Sequence, residues 1–329
     1  MAAGGMTPAA SIVICTFNRP ILFERTLRSC LADATRRGLP HEVVVADNGP
    51  ARHAQAIIEA VLGAGPAVPV RCVPCGPPNI SVARNAGLAA ARAPLVAFLD
   101  DDLEVEPGWL DALVAALDDP RFDAALGPVR PAFEGGAPPG WDPEAAAFTR
   151  DPGLPTGTEI AASGPLRPPG FVVSTASSIW RRATCFTDPA PFDPAFGASG
   201  GEDLDLFLRL QRRGRRFAWC AGAGVVEAVP RHRTALDFQR QRAFTFAQAY
   251  AAALLNNTDH RALQTLRLRL VGAAQALAWG AAEPLLRAAA PLLPNARMAA
   301  ERAALRSAAA RGKLRWRRRA GIYQAEPPG

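Results

Sequence analysis

Two kinds of segment alternate between Ala10 and Asp102. The runs "ASIVICTF", "HEVVVADNG" and "PLVAFLDDD" are apolar almost without interruption, and "PVRCVPC" adds a short one. Between them, in "PILFERTLRSCLADATRRG", "ARHAQAIIEAVLGAG" and "ISVARNAGLAAARA", apolar residues recur at helical spacing. Continuous apolar runs fit strands buried on both faces, and the helical spacing fits amphipathic helices. Strand and helix in turn predict right-handed βαβ units around a parallel sheet. Ligands of such sheets bind in the crevice outside the carboxyl ends of the strands. The runs end in polar groups: Thr16, Asn18 and Arg19, then Asp47 and Asn48, then Asp100, Asp101 and Asp102. These ends are expected to meet on one edge.

From about Gly127 to Gly170 the texture becomes Pro- and Gly-rich, as in "GPVRPAFEGGAPPGWDPEAAAF", which predicts an irregular or short-stranded region. "GFVVSTASSIWRR" reads as a strand, "GGEDLDLFLRLQRRG" as a helix with acids at its start, and "RFAWCAGAGVVEAVP" as a final strand or hairpin. From about Thr234 the pattern is helical and rich in Ala, Leu and Arg, with breaks expected near Pro284 and Pro294. No internal repeat is visible.

The net charge of +7 is unevenly spread, and Lys313 is the only lysine. The stretch "RGKLRWRRRAGIYQ" is strongly basic and suits phosphates, anionic lipid or nucleic acid. Of the six cysteines only Cys72 and Cys75, in "CVPC", have metal or redox spacing. With no second pair or histidine partner they read as reduced thiols of a cytoplasmic protein. "MAAGGMTPAASIVICTF" has no basic region before its apolar run, unlike a secretory signal. No uncharged apolar run approaches the roughly 18–20 residues of a spanning helix. The expectation is a soluble protein, or one held at a membrane surface.

Two clusters carry candidate chemistry. Asp100 and Asp102, two apart at a strand end, can project to one side while Asp101 points elsewhere. Hard oxygen donors so close together suit Mg²⁺ or Mn²⁺ bound with substrate phosphates, although a solvated acidic turn is the simpler alternative. Glu202 and Asp203 open a helix after two glycines, which can place the backbone close to a ligand in a substrate-facing turn. Acids there offset the helix dipole, a role Asp205 already fills, and a partly buried carboxylate could act as a general base. Arg84 and Asn85, near a helix start, suit a diphosphate.

In order, "SIVICTFNRP", "EVVVADNG", "ISVARNAGL", "VAFLDDDLEVEPGWL" and "FGASGGEDLDLFLRLQRRG" resemble the motifs of the family 2 glycosyltransferases, from about Ser11 to Phe246. The resemblance implies the α/β GT-A (nucleotide-diphospho-sugar transferase) fold, a Rossmann-like, mostly parallel sheet flanked by helices. The catalytic domain would span 1–233, with a nucleotide-sugar half at about 9–130 and an acceptor half at about 131–233. Residues 234–329 would be a helical, basic appendage. By resemblance, Thr16, Asn18, Arg19 and Asp47 would line the nucleoside pocket, with Asp47 reading the base. Arg84 would lie near base and diphosphate. Asp100 and Asp101 would belong to the nucleotide-sugar site, Asp100 at the ribose, and Asp102 would coordinate Mn²⁺ or Mg²⁺ as the last member of a D-x-D motif. Asp203 would be the general base of an inverting single displacement, and Glu202 would help to hold the acceptor. Many relatives carry a metal-binding histidine where this chain has Glu227, in "GVVEAVPRHRT"; a glutamate is a competent substitute, or the ligand has been lost. His232 would fall outside the site.

The implied activity moves a sugar from a nucleoside-diphosphate donor, UDP- or dTDP-linked, to a glycan or lipid-linked acceptor in polysaccharide or glycolipid synthesis. The Pro/Gly-rich stretch with Trp141 and "STASSIW" with Trp180 would border the acceptor, with a core role for Trp180 an equal reading. The basic C-terminal segments could meet an anionic membrane at the inner face of the cell, or simply pack on the catalytic domain. An inactive sugar-nucleotide-binding relative and a nucleotidyltransferase of similar fold remain the alternatives. "CTFNRP", however, lacks the Gly-rich basic loop of the latter. A haloacid-dehalogenase-type phosphatase would place its D-x-D on the first strand and need a core lysine. Nothing at the level of fold supports nucleic-acid binding.

Overall fold

The computed structural model describes residues 7–33, 38–63 and 68–317. Its first half alternates β1 (Ala10–Thr16), α1 (Pro20–Asp33), β2 (His41–Asp47), α2 (His53–Leu62), β3 (Val70–Pro74), α3 (Ile80–Ala90) and β4 (Leu95–Asp100). Strands β1 and β2 are buried at every position, as their apolar runs require. Ile12, Ile14, Val43 and Val45 face α1 and α4 (Trp109–Ala116), against Phe23, Leu27 and Trp109. The alternate residues Val13, Cys15, Val44 and Ala46 face Ala83 and Leu88 of α3. Both faces of the sheet are therefore covered.

Strand β1 pairs in parallel with β2 and β4, in a register that sets Thr16 beside Asp47 and Cys15 beside Asp100. The polar strand ends meet on one edge as the alternation predicts. After β4 come β5 (Leu103–Val105), α4, β6 (Ala124–Leu126), β7 (Val129–Phe133), β8 (Glu159–Ile160), β9 (Ser177–Arg181), α5 (Arg182–Cys185), α6 (Glu202–Arg212), β10 (Phe217–Trp219) and β11 (Val225–Val229). The main sheet runs β3-β2-β1-β4-β9-β6-β10-β8, with β9 antiparallel to both neighbours; a smaller sheet runs β5-β11-β7.

Two expected elements divide. "GFVVSTASSIWRR" is a strand only from Ser177, because the Thr175 amide donates to the Asp203 carboxylate instead of to a neighbouring strand. "RFAWCAGAGVVEAVP" is no hairpin: β10 joins the main sheet and β11 the small one. Gly127 sits where the sheets approach, and a Cβ there would lie 2.0 Å from the Ala223 carbonyl oxygen. Trp180 is fully buried, 4.8 Å from the ring of Phe207. Trp141 packs with Phe148 and Val229 and donates from Nε1 to the Thr234 carbonyl. Neither tryptophan offers a face to a sugar.

The C-terminal segment comprises α7 (Arg231–Thr234), α8 (Leu236–Asn256), α9 (Arg261–Ala289) and α10 (Ala296–Leu314). Ala253 of α8 joins the cluster that contains Trp180 and Phe207, and Asn256 and Asn257 both donate to the buried Asp205 carboxylate at 2.8 Å. Pro284 does not break the helix but lies inside α9; it removes one amide donor, and the carbonyl this leaves belongs to the exposed Gly280. The turn at Pro294 separates α9 from α10. The basic stretch beyond Arg317 lies outside the described residues. Among those described, no helix is long and apolar enough to cross a membrane.

Gly127→Ala should cost about 2 kcal/mol or more, because backbone must move to admit the methyl group. Gly222→Ala, whose Cβ would meet Ala112 at an ordinary 3.4 Å, should change stability by less than about 1 kcal/mol. Urea unfolding of the two variants checks the difference.

Candidate active site

At the end of β2, the buried Asp47 carboxylate accepts from the Gly49 amide (3.0 Å) and the Ala54 amide (3.2 Å), the latter in the first turn of α2. Backbone amides there favour a negative charge. The cleft beside it is lined by Thr16, Asn18, Arg19, Phe23, Asp47 and His53, among others. Asn18 adopts a left-handed φ of 51°, and its buried Oδ1 has no hydrogen-bond partner. A buried acceptor without a donor is costly, and a ligand N–H or O–H would relieve it.

The three aspartates diverge. Asp101, expected to point elsewhere, reaches back to β1: its Oδ2 accepts from Thr16 Oγ1 (2.8 Å) and the Phe17 amide (3.3 Å), and Oδ1 from Arg19 Nη1 (3.2 Å). Asp102 Oδ2 accepts from Arg19 Nη1 and Arg233 Nη1, each at 3.1 Å. Asp100 Oδ1 accepts from Arg84 Nη2 at 3.2 Å.

Arg84 lies deeper than a diphosphate ligand would. It is buried, its guanidinium bonds Glu202 and Asp203 as well as Asp100, and the ring of Phe192 lies 5.6 Å away. Three carboxylates hold it firmly charged, with its pKa well above the usual arginine range despite burial. Glu202 is also buried. Lost hydration, then the neighbouring Asp203 charge, push its carboxyl upward against the pull of Arg84, and its Oε2 has no partner. It therefore faces inward under Arg84, whereas Asp203 is the more open of the two. Asp203 is fixed by Thr175 Oγ1 (2.9 Å), the Thr175 amide (3.0 Å), Ser174 Oγ (3.4 Å) and Arg84. The glycine before this pair serves packing: Gly201 has φ +97°, and a Cβ there would come within 2.8 Å of Ala249 on α8.

Glu227 stands opposite Leu103 in the β5–β11 pair, and the next amide, Ala228, donates to the Asp102 carbonyl. The Asp102 and Glu227 side chains are thus brought together, with Arg233 spanning them: its Nη1 is 3.1 Å from Asp102 and 3.7 Å from Glu227. Arg150 bonds Glu227 Oε2 at 2.9 Å. His232 stays apart, stacked edge-on against Phe238. Asp102 and Glu227 offer the hard oxygen donors that Mg²⁺ or Mn²⁺ takes, and among the described residues no set of three or more His, Cys, Asp or Glu could hold a metal. Two carboxylates fit a cation whose other positions are substrate oxygens and water.

Sequence reasoning does not reach Arg150 and Arg233, and it reaches Ser174 and Thr175 only as part of "STASSIW", without their bonds to Asp203. Arg233 had a signal, one residue beyond His232 in "VPRHRT"; Arg150 has none, because a long-range bridge to Val129 delivers it. Arg84→Met would leave three carboxylates without their shared cation. A loss of about 3–5 kcal/mol is expected, measured by urea unfolding.

Comparison with known proteins agrees with this geometry. Residues 11–177 match the family described as Glycosyl transferase family 2. The chain is 33% identical over 264 residues, 80% of each chain, to the succinoglycan biosynthesis protein ExoM of Rhizobium meliloti (strain 1021). The mannosyltransferase PcManGT from Pyrobaculum calidifontis, solved in complex with GDP-Man and Mn²⁺, superposes with a TM-score of 0.63 at 18% identity, over 94% of this chain and 88% of that one. A crystal structure of S. aureus TarS gives a TM-score of 0.52 at 16% identity, over 91% of this chain and 90% of that one. The fold is GT-A, and the chain is a transferase that belongs to glycosyl transferase family 2.

Proposed function

We propose that the protein transfers a sugar from a nucleoside-diphosphate sugar, UDP- or dTDP-linked, to an acceptor hydroxyl with inversion, in synthesis of a cell-surface polysaccharide or glycolipid. The observation that carries this reading is the convergence, on one sheet edge, of an unpartnered Asn18 acceptor beside Asp47 with the Asp102–Glu227 pair and Asp203. The name of ExoM, a succinoglycan biosynthesis protein, supports a polysaccharide product. The GDP-Man and Mn²⁺ complex of PcManGT supports a sugar nucleotide and a divalent cation.

In this mechanism Asn18 Oδ1 accepts a hydrogen bond from the nucleoside, in a pocket shaped by Asp47 and Thr16. Asp100 and Asp101 border the ribose and hold Arg84 and Arg19 in place. Asp102 and Glu227 would hold Mn²⁺ or Mg²⁺, which supplies positive charge to the diphosphate. Arg233, which bridges the two carboxylates, would yield that position to the cation and, with Arg150, add positive charge nearby. Asp203 takes the proton of the acceptor hydroxyl as its oxygen bonds to the anomeric carbon; the bond from that carbon to the diphosphate breaks, and its electron pair leaves on the phosphate oxygen. Arg84 keeps Asp203 oriented for the transfer. A lipid-linked acceptor would bring the protein to the cytoplasmic face of the membrane through its C-terminal segment.

The test is turnover of a panel of UDP-, dTDP- and GDP-sugars with Mn²⁺, Mg²⁺ or chelator, with nucleotide binding measured on the same samples. One donor should turn over with metal and fail with chelator. Asp203→Asn should lower kcat by at least about 100-fold while nucleotide still binds, and Asp102→Asn should abolish the metal response. Binding without turnover would favour a binding relative, and neither binding nor turnover would overturn the reading.

A further inference from the structure

Helix α9 turns opposite faces to protein and to solvent. Its inward positions are engaged: Leu268 is buried, Gln275 accepts from Lys313, Trp279 stacks under Arg306, and Glu283 pairs with Arg240 of α8. On the other side, Leu263, Leu266, Leu270 and Leu277 follow helical spacing and are 54–76% exposed. Leu292, in the turn after the helix, is 85% exposed. At about 1.5 Å per residue the leucine stripe is roughly 20 Å long. A stripe of that size open to water marks an interaction surface.

Its charge says what covers it. Arg267 and Arg269, on either side of Leu268, lie on the two shoulders of the stripe and are exposed. The helix has one acid, Glu283, on the inward face and already paired. Residues 261–329 hold thirteen basic and three acidic residues, more than the whole positive balance of the chain, which is +7. In a symmetric pairing of two α9 helices, arginine shoulders would meet arginine shoulders with no acid between them. The segment 318–329, "RRAGIYQAEPPG", has only Ile322 and Tyr323 as large apolar residues, too few to cover the stripe. An apolar stripe flanked by cations matches acyl chains below a layer of anionic headgroups.

We propose that the outward face of α9 docks the protein on an anionic lipid bilayer, with the helix lying in the plane of the interface. Leu263, Leu266, Leu270 and Leu277 enter the acyl boundary, and Arg267 and Arg269 reach headgroup phosphates along their aliphatic stems. This deepens the proposed use of a lipid-linked acceptor and rests on that reading for its purpose, though not for its geometry.

The test is flotation of the full chain with phosphatidylcholine vesicles, with and without phosphatidylglycerol. The wild type should float with the anionic vesicles and stay behind with the neutral ones. Leu266→Ser/Leu270→Ser/Leu277→Ser alters only exposed side chains and should lower vesicle partitioning at least tenfold, with unchanged Tm and unchanged turnover of a soluble donor. Arg267→Gln/Arg269→Gln should lower it several-fold and weaken its salt dependence. No binding by the wild type, or equal binding by the leucine variant, would overturn the proposal. So would a dimer in light scattering that the leucine variant dissolves, since a second copy would then own the face. Vesicle binding without donor turnover would uphold this surface while counting against the transferase mechanism.

Discussion

One buried guanidinium organises the carboxyl edge of the main sheet. Arg84 rises from α3 into a space where β4 ends and α6 begins, and there it meets Asp100, Glu202 and Asp203. Three carboxylates this close would repel one another, and burial would penalise each charge further. The cation makes their proximity tolerable, and in doing so it fixes the distance between the sheet half and the helix that carries Asp203. The upward push on Glu202 shows that compensation is incomplete. In the same space Glu202 Oε2 is left without a hydrogen-bond partner.

A second layer of ion pairs runs along the mouth. Arg19 joins Asp101 to Asp102, Arg233 joins Asp102 to Glu227, and Arg150 closes the row. These arginines come from the loop between β1 and α1, from α7 and from the irregular region before β8. The row therefore couples three distant stretches of chain at one place. Positive charge thus lies directly against the Asp102 and Glu227 carboxylates.

Much of this was legible in the sequence because it is local. Uninterrupted apolar runs gave the parallel core, and polar residues at the ends of β1, β2 and β4 had to meet once those strands paired in register. What could not be read was long-range. Nothing near Arg84 reveals that α6 will bring two acids onto it, so its expected role at the diphosphate differs from its buried position. Gly201 reads as a ligand-facing turn, yet the space it saves is needed by Ala249 on α8. "VVEAVP" after "RFAWC" looks like one strand or hairpin because local pattern does not say which sheet a strand joins. The exposed leucines of α9 were visible as helical periodicity, but only packing on α10 and α8 reveals which side of the helix stays uncovered.

The charge distribution separates two parts of the molecule, with acids and arginines paired at the sheet edge and an excess of arginine on the helices that follow. The central claim is a single displacement with Asp203 as base. It is tested most directly by ¹H NMR of the first product formed from the accepted donor, read at the anomeric proton before any mutarotation. The account predicts a configuration opposite to that of the donor sugar. Retention would contradict it, because a second displacement or a front-face path would then be required and Asp203 could not act as the sole base.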